Sequence, residues 1–394
     1  MSNQPVDIIA IINNIFHTAL SRNASDIHIE PKKDSLDVRI RIDGEFGEFL
    51  QYPREIHQSI VTRIKLLADL KIDETRLPQD GKASLTMDEN DVDLRISVLP
   101  TIYGEKVCIR LLKSNASKVK LDDLGILDYS LKRIEEALKK TYGIILVTGP
   151  TGAGKTTTLY GMLETYDPKK FNISTLEDPV EYKMHNVNQC QIRKDIGFDF
   201  ANGLRSLVRQ DPDIIMVGEI RDEVTAKLAI ESALTGHLVF STIHTNTAAA
   251  TIQRLINMNV ERYLLPSAIR MIVAQRLVRK ICTDCQAVYK PSKDIVKVIE
   301  KEIGGVIQID TKNLHLYKGK GCEKCGNSGF YGRVGIYEVL PVTAKISELI
   351  LKGAPSSEIE ETAKKEGMLD MKQDGFLKVV MGMTTIEEVV ATIG

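Results

Sequence analysis

A short apolar strand followed at once by a glycine-rich loop constrains this chain more than any other feature. The strand is Gly143–Thr148, and the loop is Gly149-Pro150-Thr151-Gly152-Ala153-Gly154-Lys155-Thr156. Apolar residues at helical spacing follow, beginning with Leu159 and Met162. Strand, loop and helix in this order form a P-loop, in which backbone N–H groups and the helix N-terminus bind phosphate oxygens. A glycine-rich turn with a coincidental lysine is the alternative, and the match at every fixed position of the motif argues against it.

The side chains of this loop predict the ligand. In P-loops the lysine, here Lys155, reaches the β- and γ-phosphates, and the hydroxyl that follows it, here Thr156, ligates Mg²⁺. Thr157 continues the first helical turn beside them. We therefore expect residues 149–157 to bind ATP together with Mg²⁺.

A second apolar strand, Ile214–Val217, ends at Gly218-Glu219. A carboxylate at the carboxyl end of such a strand is the Walker B arrangement, in which it lies beside Mg²⁺ or its waters. Glu219 is longer than the usual aspartate, which favours a water-mediated contact over direct ligation. Taken alone, an apolar strand that ends in a glutamate is structural about as often as it is functional. Beside a P-loop, the same pattern indicates a catalytic carboxylate.

Two further segments carry titratable groups near strand ends. Thr175–Glu181 holds three carboxylates in five positions, so Glu181 or a neighbour orients the attacking water, or the segment is an acidic turn that caps a helix. His237 and His244 flank the strand Leu238–Ile243. The histidines are either two satisfied strand-end residues or, for His244, a sensor of the γ-phosphate. Both alternatives stay open for each segment.

The cysteines predict a metal site. Cys282-x-x-Cys285 and Cys322-x-x-Cys325 present two pairs of thiolates separated by 36 residues. Four thiolates around one tetrahedral Zn²⁺ are the common solution for this spacing, and such a closed site is structural. A redox pair or free thiols are the alternatives. The long intervening segment must then carry structure of its own.

Hydrophobic patterning divides the chain into domains. Helical and alternating strand patterns indicate an α+β domain over residues 1–113, and the polar stretch 114–120 is predicted to be a linker. Strands and helices then alternate over 121–277, which favours a parallel α/β sheet. The cysteine pairs lie in a subdomain at 278–338, and 339–394 is predicted to be helical.

Charge and hydropathy exclude some classes of protein. The chain has 52 Lys and Arg against 53 Asp and Glu, a balance that argues against a nucleic-acid coating protein. No apolar run approaches the ~18 residues of a membrane span, and we expect no signal peptide, since no basic segment followed by a cleavable apolar one is found. We expect a cytosolic protein that reaches a membrane only through partners.

Together these segments resemble the secretion ATPase superfamily that drives type II secretion and type IV pilus assembly. The motifs occur in family order: Walker A at 149–156, the acidic box at 175–182, Walker B at 214–219, the histidine box at 236–246 and the tetracysteine segment. Residues 25–31 and 76–81 also resemble the family's second N-terminal domain. The family's first N-terminal domain, which often docks onto a membrane platform, is not expected here; a short member and a truncated chain are both compatible with that.

The resemblance implies a fold and a set of site residues. The fold is a RecA-like P-loop ATPase core with an N-terminal α+β domain, a zinc-binding subdomain and a C-terminal helical region. The resemblance implies that Glu181 and Glu219 act in catalysis and that both histidines belong to the site. It also implies nucleotide-facing arginines, of which Arg95 or Arg110 acts as an arginine finger, worth ~10³–10⁵ in rate in other enzymes. The arginines that the resemblance places near the nucleotide are Arg95, Arg110, Arg205, Arg209 and Arg221. For each of them, an ion pair at the protein surface is the alternative.

The predicted function is that of a homohexameric motor that hydrolyses ATP and transmits work to an inner-membrane platform protein. Retraction ATPases generally lack the tetracysteine segment, so its presence favours pilus extension or secretion, between which the sequence does not choose. A RecA-like nucleic-acid translocase and a nucleotide-gated scaffold without appreciable hydrolysis are the alternatives. Near-neutral charge disfavours the translocase, and Glu181 and Glu219 disfavour the scaffold.

Overall fold

The computed structural model describes residues 7–87, 90–113 and 119–393, so most of the predicted linker lies outside the described residues. The chain divides into two compact units. The first comprises Met1–Ser117 with Glu181–Lys183, and the second comprises Lys118–Val180 with Met184–Gly394.

The first unit is a six-stranded antiparallel sheet, in the order β3-β2-β1-β6-β5-β4, covered by two helices. Alternation in the sequence builds it: Leu36, Val38 and Ile40 are fully buried against the helices, while Asp37 and Arg39 between them lie on the other face. The elements are α1 (Ile8–Ser21), β1 (Asp26–Pro31), β2 (Ser35–Ile42), β3 (Glu45–Pro53), α2 (His57–Leu67), β4 (Gln79–Met87), β5 (Asn90–Thr101) and β6 (Gly104–Lys113).

The second unit is built on a seven-stranded sheet in the order β15-β12-β7-β11-β10-β8-β9. All neighbours are parallel except β15, which runs antiparallel to β12. Every residue of β7 is buried, as expected for a central parallel strand. The strands are β7 (Gly143–Thr148), β8 (Ile173–Glu177), β9 (Asn188–Gln191), β10 (Ile214–Val217), β11 (Leu238–Ile243), β12 (Ile269–Ile281), β13 (Gln286–Tyr289), β14 (Leu316–Gly319) and β15 (Phe330–Pro341).

Helices in the second unit bury apolar faces against this sheet and one another. Among the described residues, six of them begin at a residue whose side chain accepts a hydrogen bond from the first-turn backbone: Asp199, Asp222, Thr247, Ser292, Thr343 and Asp370. The helices are α3 (Asp128–Leu138), α4 (Lys155–Leu163), α5 (Phe200–Leu207), α6 (Glu223–Leu234), α7 (Ala248–Asn257), α8 (Leu265–Ala268), α9 (Lys293–Ile303), α10 (Ala344–Lys352), α11 (Ser356–Lys365), α12 (Met371–Val380) and α13 (Ile386–Ile393).

The segment between the cysteine pairs has its own structure, as its length requires. It contains α9 and a two-stranded antiparallel sheet of β13 and β14. Ile299 and Ile303 of α9 pack with Leu316 and with Phe376 of α12 in a separate hydrophobic core. The metal-ligand region is thereby joined to the C-terminal helices.

Within the described part of the chain, every helix is too short or too polar to cross a bilayer.

Candidate active site and metal centre

The carboxyl ends of four neighbouring parallel strands form one edge of the second unit's sheet. Thr148 of β7 pairs with Ile243 of β11, and Val217 of β10 pairs with Ser241, so these strands end at nearly the same level. The residues that follow each strand therefore meet at this edge. Ligands of open α/β sheets bind outside the carboxyl ends of the strands.

The phosphate loop leaves β7 at this edge and leads directly into α4. Gly149, Gly152 and Gly154 have φ values of 148°, 80° and 82°, which side chains with a Cβ rarely adopt. A Cβ at Gly149 would also collide with the carbonyl oxygen of Gln275 on β12. The loop conformation thus requires glycine. The loop leads into the N-terminus of α4, and the free N–H groups at a helix N-terminus bind phosphate.

Lys155 is the first residue of α4, and its ammonium group folds back over the loop. Its Nζ donates to the carbonyl oxygens of Gly149 and Pro150, both at 3.0 Å. Burial lowers the pKa of Lys155, and the nearby carboxylate of Glu219 opposes that shift. Thr156 and Thr157 follow in the first turn, both half-buried. An incoming phosphate would offer the ammonium stronger acceptors than two neutral carbonyls.

Glu219 lies at the carboxyl end of β10 between the guanidinium group of Arg221 and the imidazole of His244. Its Oε2 accepts a short bond from Nε of Arg221, which raises the pKa of that arginine, and lies 3.7 Å from Nε2 of His244. Burial, and next the charge of Lys155, lower the pKa of His244, so its imidazole is neutral at pH 7. The structure therefore brings together Lys155, Glu219, Arg221 and His244, and this group can position Mg²⁺-bound waters and γ-phosphate oxygens.

The acidic box divides into buried and accessible carboxylates. Glu177, at the end of β8, is 2% exposed and accepts from the hydroxyls of Tyr160 and Thr175 and from the amide of Gln189. These bonds hold β8 against α4, so the role of Glu177 is structural. Glu181 is partly exposed and groups with the first unit.

Inside the first unit, the two arginines expected near nucleotide line one cavity of about 360 Å³. Arg95 Nη2 lies 3.4 Å from Oε2 of Glu181. Arg110 Nε donates to Asp26 at 3.0 Å, and this bond raises the pKa of Arg110. Both guanidinium groups remain partly exposed and can reach an anion.

The other predicted site residues are not gathered at the phosphate loop. His237 precedes β11 and contacts the Ser232 carbonyl oxygen at 3.0 Å. It is therefore at the opposite edge of the sheet from His244, roughly 20 Å away at the rise of a strand. Arg209 donates to the Arg205 carbonyl oxygen at 2.6 Å, and Arg205 donates to Asn202 at 3.2 Å. Both guanidinium groups are exposed and bond within their own segment.

Gln275 is a site residue that the sequence analysis missed. It is 1% exposed on β12, and its Nε2 donates to the carbonyl oxygen of Ala153 in the phosphate loop. Its signal was a single amide directly after the apolar run Met271–Ala274 of β12. Only the pairing of β12 with β7 makes that amide a support for the loop.

The four cysteines form a compact cluster whose Sγ atoms all lie within 4.8 Å of one another. The Cys282–Cys322, Cys285–Cys325 and Cys322–Cys325 sulfur distances are 3.8, 3.9 and 3.7 Å. Sulfurs ~2.3 Å from a tetrahedral Zn²⁺ are separated by about 3.8 Å, so the cluster fits that ion. Burial opposes ionisation of Cys325, but backbone N–H groups of Cys322 and Gly329 outweigh it and lower its pKa to about 6.

Comparison with known proteins identifies relatives over nearly the whole chain. Residues 2–391 match the family described as Type II/IV secretion system protein. The chain is 43% identical over 380 residues to the type IV pilus assembly ATPase PilB of Thermus thermophilus, covering 96% of this chain and 42% of that protein. It is 43% identical over 382 residues to the type II secretion system protein E of Pseudomonas aeruginosa, covering 97% and 74%. It thus spans less than half of the first relative and about three quarters of the second.

Solved structures match the fold. A structure of the pilus retraction motor PilT with bound ADP superposes with a TM-score of 0.64 at 27% identity, covering 96% of each chain. The ATPase DotB of Legionella pneumophila gives a TM-score of 0.70 at 20% identity over 99% of this chain and 97% of that one, a likeness of fold alone.

These matches confirm the predicted α/β fold class and the family resemblance. The chain therefore belongs to the type II/IV secretion system protein family, and its second unit carries the P-loop ATPase core of that family.

Proposed function

We propose that this chain hydrolyses Mg-ATP as one subunit of a homohexameric motor for type IV pilus assembly or type II secretion. The observation that carries the proposal is the convergence of Lys155, Glu219 and His244 at one sheet edge beside a complete phosphate loop. Relatives named for pilus assembly and for secretion are equally similar to the chain, which leaves both machines in the proposal.

Each site residue has a proposed role. Gly149–Thr157 bind the phosphates, with Lys155 neutralising the charge of the transferred group and Thr156 ligating Mg²⁺. Glu219 holds a Mg²⁺-bound water, and His244, neutral beside it, contacts the γ-phosphate. Glu181 orients the attacking water. Arg95 or Arg110 acts as the arginine finger. The remaining predicted contacts to nucleotide are Arg221, which lies beside Glu219, and Arg205, Arg209 and His237, which do not lie beside the phosphate loop of their own chain.

The fit of the cysteine cluster to a tetrahedral ion supports a structural zinc bound by Cys282, Cys285, Cys322 and Cys325. The domain division at 1–113, 121–277, 278–338 and 339–394 belongs to the same proposal. The motor would act on the cytoplasmic face of an inner membrane, bound to a platform protein, with no nucleic-acid substrate.

Steady-state phosphate release tests the proposal. Lys155→Ala and Glu219→Ala should each lower turnover by at least about 10²-fold, the range for removal of a charge-stabilising or acid–base group. Glu223→Ala is the matched control, because Glu223 is an exposed glutamate of α6 paired with Lys227 at 2.8 Å. Turnover that survives both site variants would refute the proposal.

A further inference from the structure

The loop that carries His244 is short and lies between two fixed elements. It runs from the end of β11 at Ile243 to Thr247, whose side chain accepts from the backbone N–H of Ala250 and begins α7. His244 itself is exposed, and its one ion-pair contact with another described residue is the 3.7 Å approach to Glu219. Its position therefore depends on what holds the loop.

Thr148 holds this loop from the β7 side. It is the residue before Gly149, and its side chain is fully buried. Its Oγ1 accepts from the backbone N–H of Thr245 at 2.8 Å. The same oxygen lies 2.9 Å from the Ile243 carbonyl oxygen, 3.0 Å from the Thr245 carbonyl oxygen and 2.7 Å from Oγ1 of Thr245, and its single proton can be donated to any one of them.

Two more threonine hydroxyls extend these contacts into α7. Oγ1 of Thr245 lies 2.7 Å from Oγ1 of Thr251, which is fully buried. Thr251 can also donate to the carbonyl oxygen of Thr247 at 3.3 Å. This threonine cluster, Thr148, Thr245 and Thr251, connects the start of the phosphate loop to the first turn of α7.

The packing of strand β7 does not require the hydroxyl of Thr148. The four residues before it are apolar, and valine would fill the same volume in a buried parallel strand. The backbone pairing of β7 with β11 ends at Thr148 and Ile243. Beyond that pair, the next hydrogen bond between the two segments joins the Thr148 side chain, rather than its backbone, to the N–H of Thr245. A buried hydroxyl is costly unless it is bonded, so its partners define its role.

We propose that Thr148 is a positioning residue that keeps the His244 loop in register with the phosphate loop. The proposal rests on the ATP hydrolysis proposed above. Nucleotide affinity depends on Lys155 and the loop backbone, which do not need this hydroxyl, whereas turnover depends on His244 beside Glu219. Loss of the hydroxyl should therefore lower kcat and leave nucleotide affinity nearly unchanged.

The experiment compares Thr148→Val with Thr148→Ser in the complete chain. Thr384→Val is the matched control, because Thr384 is also fully buried and its hydroxyl also donates to a backbone carbonyl, that of Arg279 at 2.8 Å. We expect Thr148→Val to lower kcat by at least about tenfold, since a displacement of ~1 Å can cost up to 10²-fold. The Kd for Mg-ADP should stay within about twofold. Thr148→Ser should restore most of kcat, and Thr384→Val should leave it unchanged.

Hydrogen exchange provides a readout that does not need turnover. Because Thr148 accepts the backbone N–H of Thr245, Thr148→Val should accelerate exchange of that amide, and Thr384→Val should not. Unchanged exchange, or an unchanged kcat, would overturn the proposal. A loss of kcat that serine does not restore, with an equal loss of Mg-ADP affinity, would overturn it too. Absence of turnover in the wild type would instead refute the proposed function, and exchange would still test the contact.

Discussion

At the scale of single residues, burial of the Glu338 carboxyl group, which lies outside the active site, predicts a measurable pH dependence of stability. Glu338 is 4% exposed on β15, and its Oε2 accepts from the backbone N–H of Ala248 at the start of α7 at 2.9 Å. Burial raises the pKa of Glu338 to about 7; Glu360 and Asp370 add to the shift, and the Ala248 N–H opposes it.

This shift predicts a pH dependence of stability. In the unfolded chain the Glu338 carboxyl group ionises near its ordinary pKa of 4.5, and in the folded protein its pKa is about 7. Between pH 4.5 and pH 7, the folded state therefore retains a proton that the unfolded state loses. The contribution of Glu338 to the free energy of unfolding therefore falls as pH rises from 4.5 to 7, by on the order of 2–3 kcal/mol. Glu338→Gln should gain stability relative to the wild type over that window. Denaturant unfolding at pH 5 and 7.5 checks this, and an equal difference at both pH values would contradict it.

At the scale of elements, the strands of the second unit's sheet can be predicted from the sequence. The buried side-chain hydrogen bonds that hold the phosphate loop and β8 in place cannot. β7, β10 and β11 follow from apolar runs bounded by glycine or charged residues, and the phosphate loop follows from local spacing alone. The support from Gln275 depends on which strand lies beside β7, a long-range choice that local sequence does not encode. The buried bonds of Glu177 depend in the same way on the packing of α4.

The two histidines illustrate the same limit. They flank β11 symmetrically in the sequence, but the carboxyl edge of a parallel sheet holds only the one that follows the strand. His244 therefore lies with Glu219, and His237 lies at the other edge. The parallel direction of β11 and β7 decides this, and it emerges only from the assembled sheet.

The tetracysteine element should bind one zinc ion per chain. Because the segment between the cysteine pairs packs on the C-terminal helices, loss of the ion should loosen both. Cys322→Ser should lower the zinc content, measured by elemental analysis, and lower Tm. Cys190→Ser is the control, since Cys190 is half-buried outside the cluster. A wild-type zinc content well below one would contradict the assignment.

At the scale of the whole molecule, the proposal requires a ring of six chains of 43.9 kDa each. Mg²⁺ with a non-hydrolysable ATP analogue should produce a particle six times that mass, measured by light scattering. Mixing wild-type chains with Lys155→Ala chains should then lower ATPase activity more steeply than in proportion to the variant fraction, because sites in a ring are coupled. A monomer under all conditions, or a strictly proportional loss, would contradict the ring.

The most direct test of the central claim is a single-turnover measurement with wild-type chain in excess over Mg-ATP labelled at the γ-phosphate. The convergence of Lys155, Glu219 and His244 predicts that bound ATP is converted fully to ADP and labelled phosphate, and that Glu219→Gln binds ATP but leaves it intact. ATP that binds to the wild type and stays unhydrolysed would contradict the account and favour a nucleotide-gated scaffold.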